Sequence, residues 1–326
     1  MTDILLIGLG ATTLSALESL LPKCSVRAIV RNVDSESNSN ASVLSLAQQR
    51  GIPIFSDVSQ REIKALLLKF QPECVVVSSY NQILPSDLIS LSTFINVHYS
   101  PLPYYRGRAN ANWAMINDEP CAAITIHRIT PKLDEGNILF QQLIPIHGED
   151  TITTLYDRLN EIQQQVLGDI VVKALNGYEG VAQNNDEATY CCTRLPEDGE
   201  INWSITTRSI DCFIRALVEP FPGAYTYFQG KKLLIWRAEP LNPPPVYVGR
   251  IPGRVIDRSK AEGYVDVLTG DGVLRILEVQ FEGEERTAAA NVIKSVKSTL
   301  GLQMSDLLRR IQTLEQEIVR LKEHAK

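Results

Sequence analysis

Three textures along the chain predict its fold class. Residues 1–175 alternate short β-rich runs with helical patterns, the order that builds a doubly wound, mostly parallel α/β sheet. Residues 189–302 hold five or six short strand patterns punctuated by Gly and Pro, as in a small β-barrel. At the end, Leu307, Ile311, Leu314, Ile318 and Leu321 recur at steps of four and three among charged residues, the a/d seam of a heptad helix.

The elements follow in order. Strand patterns lie at residues 4–9, 25–30, 52–55, 74–78 and 94–98, with helical patterns at 13–21, 41–50, 60–70 and 85–91 between them. In such sheets ligands sit beyond the carboxyl ends of the strands, so the residues just after each strand carry the functional weight. The first turn, Gly8-Leu9-Gly10-Ala11-Thr12-Thr13, has two glycines but a threonine where a dinucleotide fingerprint needs its third. The second strand also ends Val30-Arg31, without the acidic residue that would hold a ribose, so this is a tight turn rather than a nicotinamide site. Residues 122–129 and 137–146 read as an edge hairpin around the loop 130–136. A long helix follows over 152–175, apolar at Leu155, Leu159, Ile162, Val166, Ile170 and Val171, and Asn176-Gly177 stops it. Residues 179–188 are polar and read as a linker between a first domain, 1–178, and a second, 189–302. That second domain carries one helix, 206–217, and strands at 224–228, 232–238, 253–257, 264–268 and 272–280, suggesting an OB-like barrel. Residues 303–326 read as a coiled-coil or docking helix, with a terminal helix packed on its own domain equally open.

Bulk properties narrow the function. Of 326 residues, 44% are hydrophobic and 21% charged, the balance of a globular protein with a real core. A net charge of −6 gives no general attraction to nucleic acid. Apolar runs are strand-sized and cannot span a bilayer. The start, Met1-Thr2-Asp3, is acidic where a signal peptide is basic, so a cytoplasmic location is expected. The six cysteines (24, 74, 121, 191, 192 and 212) lack CxxC or Cys/His spacing and read as reduced thiols. Four dispersed histidines predict no metal site.

The chemistry concentrates in Asn96-Val97-His98-Tyr99-Ser100-Pro101-Leu102-Pro103-Tyr104-Tyr105-Arg106-Gly107-Arg108. Asn96 and His98 share parity on a strand and so project to one face, at its carboxyl end. The two prolines cannot extend the sheet and turn the chain out over that end. Downstream, Asp134-Glu135-Gly136 reads by itself as a turn. A carboxylate beside an imidazole is nevertheless what a general-base histidine requires, because it stabilises the imidazolium and fixes the tautomer.

At these residues the chain resembles the folate-dependent formyltransferase family. The pattern is N-x-H-x-S-x-L-P from Asn96, then Tyr105-Arg106-Gly107-Arg108, then the D-x-G of Asp134. Thr125-Ile126-His127-Arg128, Ala188-Thr189-Tyr190 and Pro220-Phe221-Pro222-Gly223-Ala224-Tyr225 are similar to the family as well. The resemblance covers nearly the whole chain and implies a Rossmann-like catalytic domain with 10-formyltetrahydrofolate as co-substrate and no metal. It further implies that Asn96 holds the formyl oxygen, His98 moves the proton and Asp134 orients His98. Gln82, Ile83 and Leu84, with Thr130, Pro131, Lys132 and Leu133, would cradle the pterin, and Arg108, Ser100 and Tyr105 would meet the acceptor. Arg106 reads as a loop-stabilising residue, and His127 and Trp113 as structural. Arg108 followed by Asn112-Trp113 is closest to the sugar-amine N-formyltransferases, including the UDP-aminoarabinose type. Methionyl-tRNA formyltransferase is the alternative, weakened by the absence of a basic segment after the first strand. Pro101 stands where the family usually has leucine, and the heptad extension is foreign to both types. The extension leaves open an accessory formyltransferase acting on a carrier-bound amine, or a non-catalytic scaffold. A hydrolytic relative would use the same three residues with water as acceptor.

Overall fold

The computed structural model describes residues 1–31 and 38–324. The chain divides into two compact units. One contains Met1–Ala114, Glu119–Asp150 and Thr154–Thr193; the other contains Met115–Asp118, Thr151–Thr153 and everything from Arg194 onward.

In the first unit the elements run β1 (Thr2–Gly8), α1 (Gly10–Leu20), β2 (Cys24–Arg31), α2 (Asn38–Gln49), β3 (Ile54–Ser56), α3 (Gln60–Phe70), β4 (Cys74–Ser78), α4 (Ser86–Ile89) and β5 (Thr93–His98). They continue through β6 (Arg106–Gly107), α5 (Asn110–Ile116), β7 (Cys121–Arg128), β8 (Ile138–Pro145), α6 (Ile152–Leu175) and β9 (Tyr190–Cys191). The main sheet has strand order β3-β2-β1-β4-β5-β7-β8. Its first five strands are parallel, and β7 and β8 add the expected antiparallel edge hairpin. Ile4, Leu5, Leu6 and Ile7 of β1 and Val75 and Val76 of β4 are fully buried. Such unbroken apolar runs belong to central strands covered by helices on both faces. The start of α3 is set locally, because Ser59 and Glu62 satisfy each other's backbone N–H in a capping box. Gly8 has a packing reason: a Cβ there would lie 2.0 Å from the Ser78 carbonyl oxygen. The turn that imitates half a dinucleotide fingerprint is therefore a close crossing of β1 and β4.

The second unit has α7 (Thr207–Arg215), β10 (Ala224–Phe228), β11 (Lys231–Pro240), β12 (Val255–Arg258), β13 (Val265–Leu268), β14 (Val273–Phe281), β15 (Thr287–Ala288), α8 (Ala289–Val292) and α9 (Met304–His324). Its strands form one antiparallel sheet, β10-β11-β14-β13-β12, with β15 added to β14. Among the described residues β10 and β12 do not pair, so the strand ladder is an open path. The sheet wraps a core of Trp203, Ile210, Ile214, Leu233, Val255, Val267 and Ile276. No described helix is long and apolar enough to cross a membrane.

Residues 179–188, read as a linker, pack within the first unit. Val181 bridges to Ile138, Gln183 and Asn185 bind the Arg106 guanidinium, and β9 pairs in parallel with β6. Polar composition suggested a loose connection. The polar side chains instead serve internal hydrogen bonds, and the first unit runs to Thr193.

Candidate active site

The site is assembled on one face of the β5–β7 pair. Asn96 and His98 alternate onto that face, and antiparallel register sets His127 of β7 opposite Asn96 and Thr125 opposite His98. Four polar side chains thus project together from two neighbouring strands. The His98 and His127 rings meet edge to face at 5.9 Å.

The loop between β7 and β8 folds Asp134 over this face. Asp134 is in the left-handed region (φ 49°), a conformation that aspartate tolerates better than most residues. Two contacts hold it there. The Gly107 N–H donates to Oδ2 at 2.9 Å, and the Gln183 amide donates to the main-chain oxygens of Asp134 and Gly136, both at 2.7 Å. Gly136 is required at this turn because a Cβ would fall 1.9 Å from the Arg128 carbonyl oxygen. The carboxylate then faces both imidazoles, with Oδ2 at 3.8 Å from His98 Nδ1 and Oδ1 at 3.7 Å from His127 Nε2. These spacings exceed a hydrogen bond but place a negative charge between the rings. Catalytic hydrogen bonds are commonly long before substrate binds.

The two histidines differ in surroundings. His98 is 5% exposed, and its Nε2 lies 3.1 Å from the Tyr105 carbonyl oxygen and 2.8 Å from the Asn110 amide. His127 is 1% exposed. Burial, reinforced by the neighbouring His98, pushes its pKa down to about 4 against the pull of Asp134. The ring is therefore neutral at physiological pH. Its Nδ1–H donates to the Arg128 carbonyl at 2.9 Å, which leaves the Nε2 lone pair to accept from the Asn96 amide at 3.1 Å. This sequence of contacts turns the Asn96 NH2 group, rather than its oxygen, toward the site. The second N–H of that amide has no partner among the described residues and is available to a ligand oxygen.

Residues 25–171 match the formyl transferase family model, and residues 195–297 match its C-terminal domain. A methionyl-tRNA formyltransferase of Caldanaerobacter subterraneus subsp. tengcongensis is 36% identical over 250 residues, covering 75% of this chain and 79% of that protein. The chain belongs to the formyl transferase family. The enzyme class expected from the sequence, a 10-formyltetrahydrofolate-dependent formyltransferase, stands with it. Solved structures share the fold. An N-formyltransferase from Helicobacter canadensis in complex with folinic acid and dTDP-3-aminofucose aligns with a TM-score of 0.64 at 21% identity, over 85% of this chain and 98% of that one. HypX from Aquifex aeolicus in complex with tetrahydrofolic acid aligns with a TM-score of 0.63 at 16% identity. The match covers 90% of this chain but 47% of HypX, so this formyltransferase spans about half the length of that relative.

The remaining expected residues fall into three groups. Gln82, Ile83 and Leu84 follow β4, and Thr130, Pro131, Lys132 and Leu133 follow β7. Ile83 is 80% exposed and Leu133 51% exposed. Both segments are loops that follow strands of the main sheet and carry an exposed apolar side chain. Leu84 is buried, and Lys132 pairs with Glu135 at 3.2 Å. Arg108 is exposed and forms no ion pair among the described residues. Tyr105 gives its hydroxyl to Glu119 at 2.5 Å while its carbonyl supports His98. Ser100 departs from expectation: it is 2% exposed and donates to the Tyr104 carbonyl at 2.9 Å, closing the proline turn and not facing an acceptor.

Three contributors were absent from the sequence reading. His127 was taken as structural, Asn110 was not singled out, and Gln183 was placed in a linker. For His127 the available signal was its parity on β7 relative to the loop carrying Asp134, and only the β5–β7 register turns that parity into a contact with Asn96. Arg106 behaves as expected. It is buried at 2% exposure, bound to Gln183 at 2.7 Å and Asn185 at 2.6 Å, and so fastens residues 183–185 to β6.

Proposed function

We propose that this formyltransferase moves the formyl group of 10-formyltetrahydrofolate to the amine of a small anionic acceptor, a nucleotide-linked aminosugar. The observation that carries the transfer chemistry is the convergence of Asn96, His98 and Asp134 on one sheet face, with the Asn96 N–H oriented by His127.

The free N–H of Asn96 donates to the formyl oxygen as negative charge grows there, a contribution typically worth ~10²–10³ in rate. His98 accepts the proton that the attacking amine releases and returns it to the departing nitrogen. Asp134, anchored by the Gly107 N–H, stabilises the imidazolium formed between those two transfers. The co-substrate supplies the activated one-carbon group when it lies along the 82–84 and 130–133 loops.

The aminosugar reading is supported by Arg108. It is an exposed cation one residue beyond the Gly107 that holds Asp134, with a guanidinium suited to bidentate contact with a pyrophosphate. It is supported also by the state of the cations that a tRNA surface would need. Lys232 pairs with Glu282, Lys231 lies over the Phe281 ring, Arg254 binds Thr299, and Arg194 binds the Asp198 carbonyl and covers Phe213. Methionyl-tRNA is the second reading, favoured by the 36% identity to a methionyl-tRNA formyltransferase. In both readings residues 1–178 hold the catalytic machinery, and the second unit keeps an OB-like curl beside it in sequence.

The test is tetrahydrofolate formation, followed by absorbance, with UDP- and dTDP-aminosugars set beside methionyl-tRNA. Turnover with an aminosugar, lost in His98→Ala, supports the proposal. Turnover confined to methionyl-tRNA replaces it with the second reading.

A further inference from the structure

Helix α9 presents an apolar stripe that no described residue of its own chain covers. Leu307, Ile311, Leu314, Ile318 and Leu321 are between 38% and 70% exposed along one side of the 21-residue helix. A lone helix of this length is marginal in water and gains stability by burying its apolar face. The occupant of that face is written in the heptad positions. With Met304 at a, the core positions read Met304, Ile311 and Ile318 at a, and Leu307, Leu314 and Leu321 at d. Isoleucine at a with leucine at d is the combination that favours two parallel strands.

The flanks agree independently. Position g carries Arg310 and Glu317, and position e carries Glu315 and Lys322. In a parallel, in-register pair each g residue faces the e residue five places later on the other strand. Arg310 then meets Glu315 and Glu317 meets Lys322, and twofold symmetry makes four attractive contacts with no like-charge pair among them. An antiparallel pair overlapping over 304–321 has only the two Arg310–Glu317 contacts and sets Glu315 against Leu308. Centring the antiparallel pair on residue 316 instead opposes Glu317 to Glu317 and Glu315 to Glu315.

From the exposed stripe, the a/d identities and the g/e charges together, we propose that α9 is a self-association element. It pairs with the same helix of a second copy of this chain as a parallel two-stranded coiled coil. This interface is separate from the formyl-transfer site and does not depend on which acceptor that site takes.

Sedimentation equilibrium of the full chain at up to about 0.1 mM tests it. The expected result is a reversible species of twice the 36.3 kDa chain mass, shifted to monomer by Leu314→Asp with near-UV circular dichroism and formyl transfer kept. Orientation is read by charge exchange. R310E and E315R should each weaken the dimer at least tenfold by opposing like charges, and the double variant should restore it. In the antiparallel pair E315R is neutral and the double variant stays weak. A monomeric wild-type chain at the highest concentration, a dimer that survives Leu314→Asp, or a double variant without recovery would each overturn the proposal.

Discussion

Replacing His127 by phenylalanine separates an orienting role from a merely structural one. The ring shape is nearly kept, but the lone pair that accepts from Asn96 and the N–H that donates to Arg128 are lost. An amide without its buried partner loses about 1–2 kcal/mol of orientation, and it can then turn its oxygen toward the site. Expressed in the transition state, that is a fall of roughly 5–30-fold in kcat. Complete removal of the donor in Asn96→Ala should cost more, ~10²–10³. The Michaelis constant for the folate should change little, because His127 meets Asn96 and not the pterin loops. A second readout comes from acid unfolding. The His127 pKa is depressed in the fold, so the unfolded chain binds more protons between pH 6.5 and about 4. His127 therefore contributes its full share of stability above pH 6.5 and loses it as pH falls toward 4. Denaturant titrations should show this loss in the wild type and its absence in H127F. Wild-type kcat in a folded H127F protein would refute the reasoning, since Asn96 would then need no partner on β7.

Asp134→Asn keeps the acceptor for the Gly107 N–H and suits the left-handed backbone, so the fold should stand while the charge between the histidines disappears. A loss of ~10²–10⁴ in kcat at unchanged melting temperature is expected, and near-normal turnover would remove Asp134 from the mechanism. Gly107→Ala places a Cβ 2.9 Å from the Cys191 carbonyl oxygen at φ 105°. It should destabilise the protein by about 1–3 kcal/mol and loosen Asp134, measured by thermal unfolding beside kcat. Arg108→Ala should raise the Michaelis constant for an anionic acceptor about tenfold and leave that for the folate alone. A uniform effect on both would place Arg108 outside acceptor recognition.

The elements that local rules control were legible before any coordinates. The α3 and β4 spans, α6 and β10 stand at the residues expected, because capping, helical period and unbroken apolar runs are properties of neighbours in sequence. The strand-end position and shared parity of Asn96 and His98 were equally local. The antiparallel sheet of the second unit was legible too, because short strands with Gly and Pro between them specify antiparallel pairing, whereas closure depends on whether end strands meet, which no local pattern encodes. The linker was misread for a related reason, since Gln183 and Asn185 look the same in sequence whether they bind water or Arg106.

Sequence by itself thus determined the parallel α/β sheet with its edge hairpin, the strand bearing Asn96 and His98, the tight glycine turn after β1 and the helical period at residues 304–324. Each rests on periodicity or on residues a few places apart. Only the tertiary structure decided that Asp134 reaches both histidines, that Gly107 and Gln183 hold it there and that His127 aims the Asn96 amide. Those contacts join residues separated by 27, 49 and 31 positions, and they exist only once strand register and loop packing bring distant segments within hydrogen-bond range.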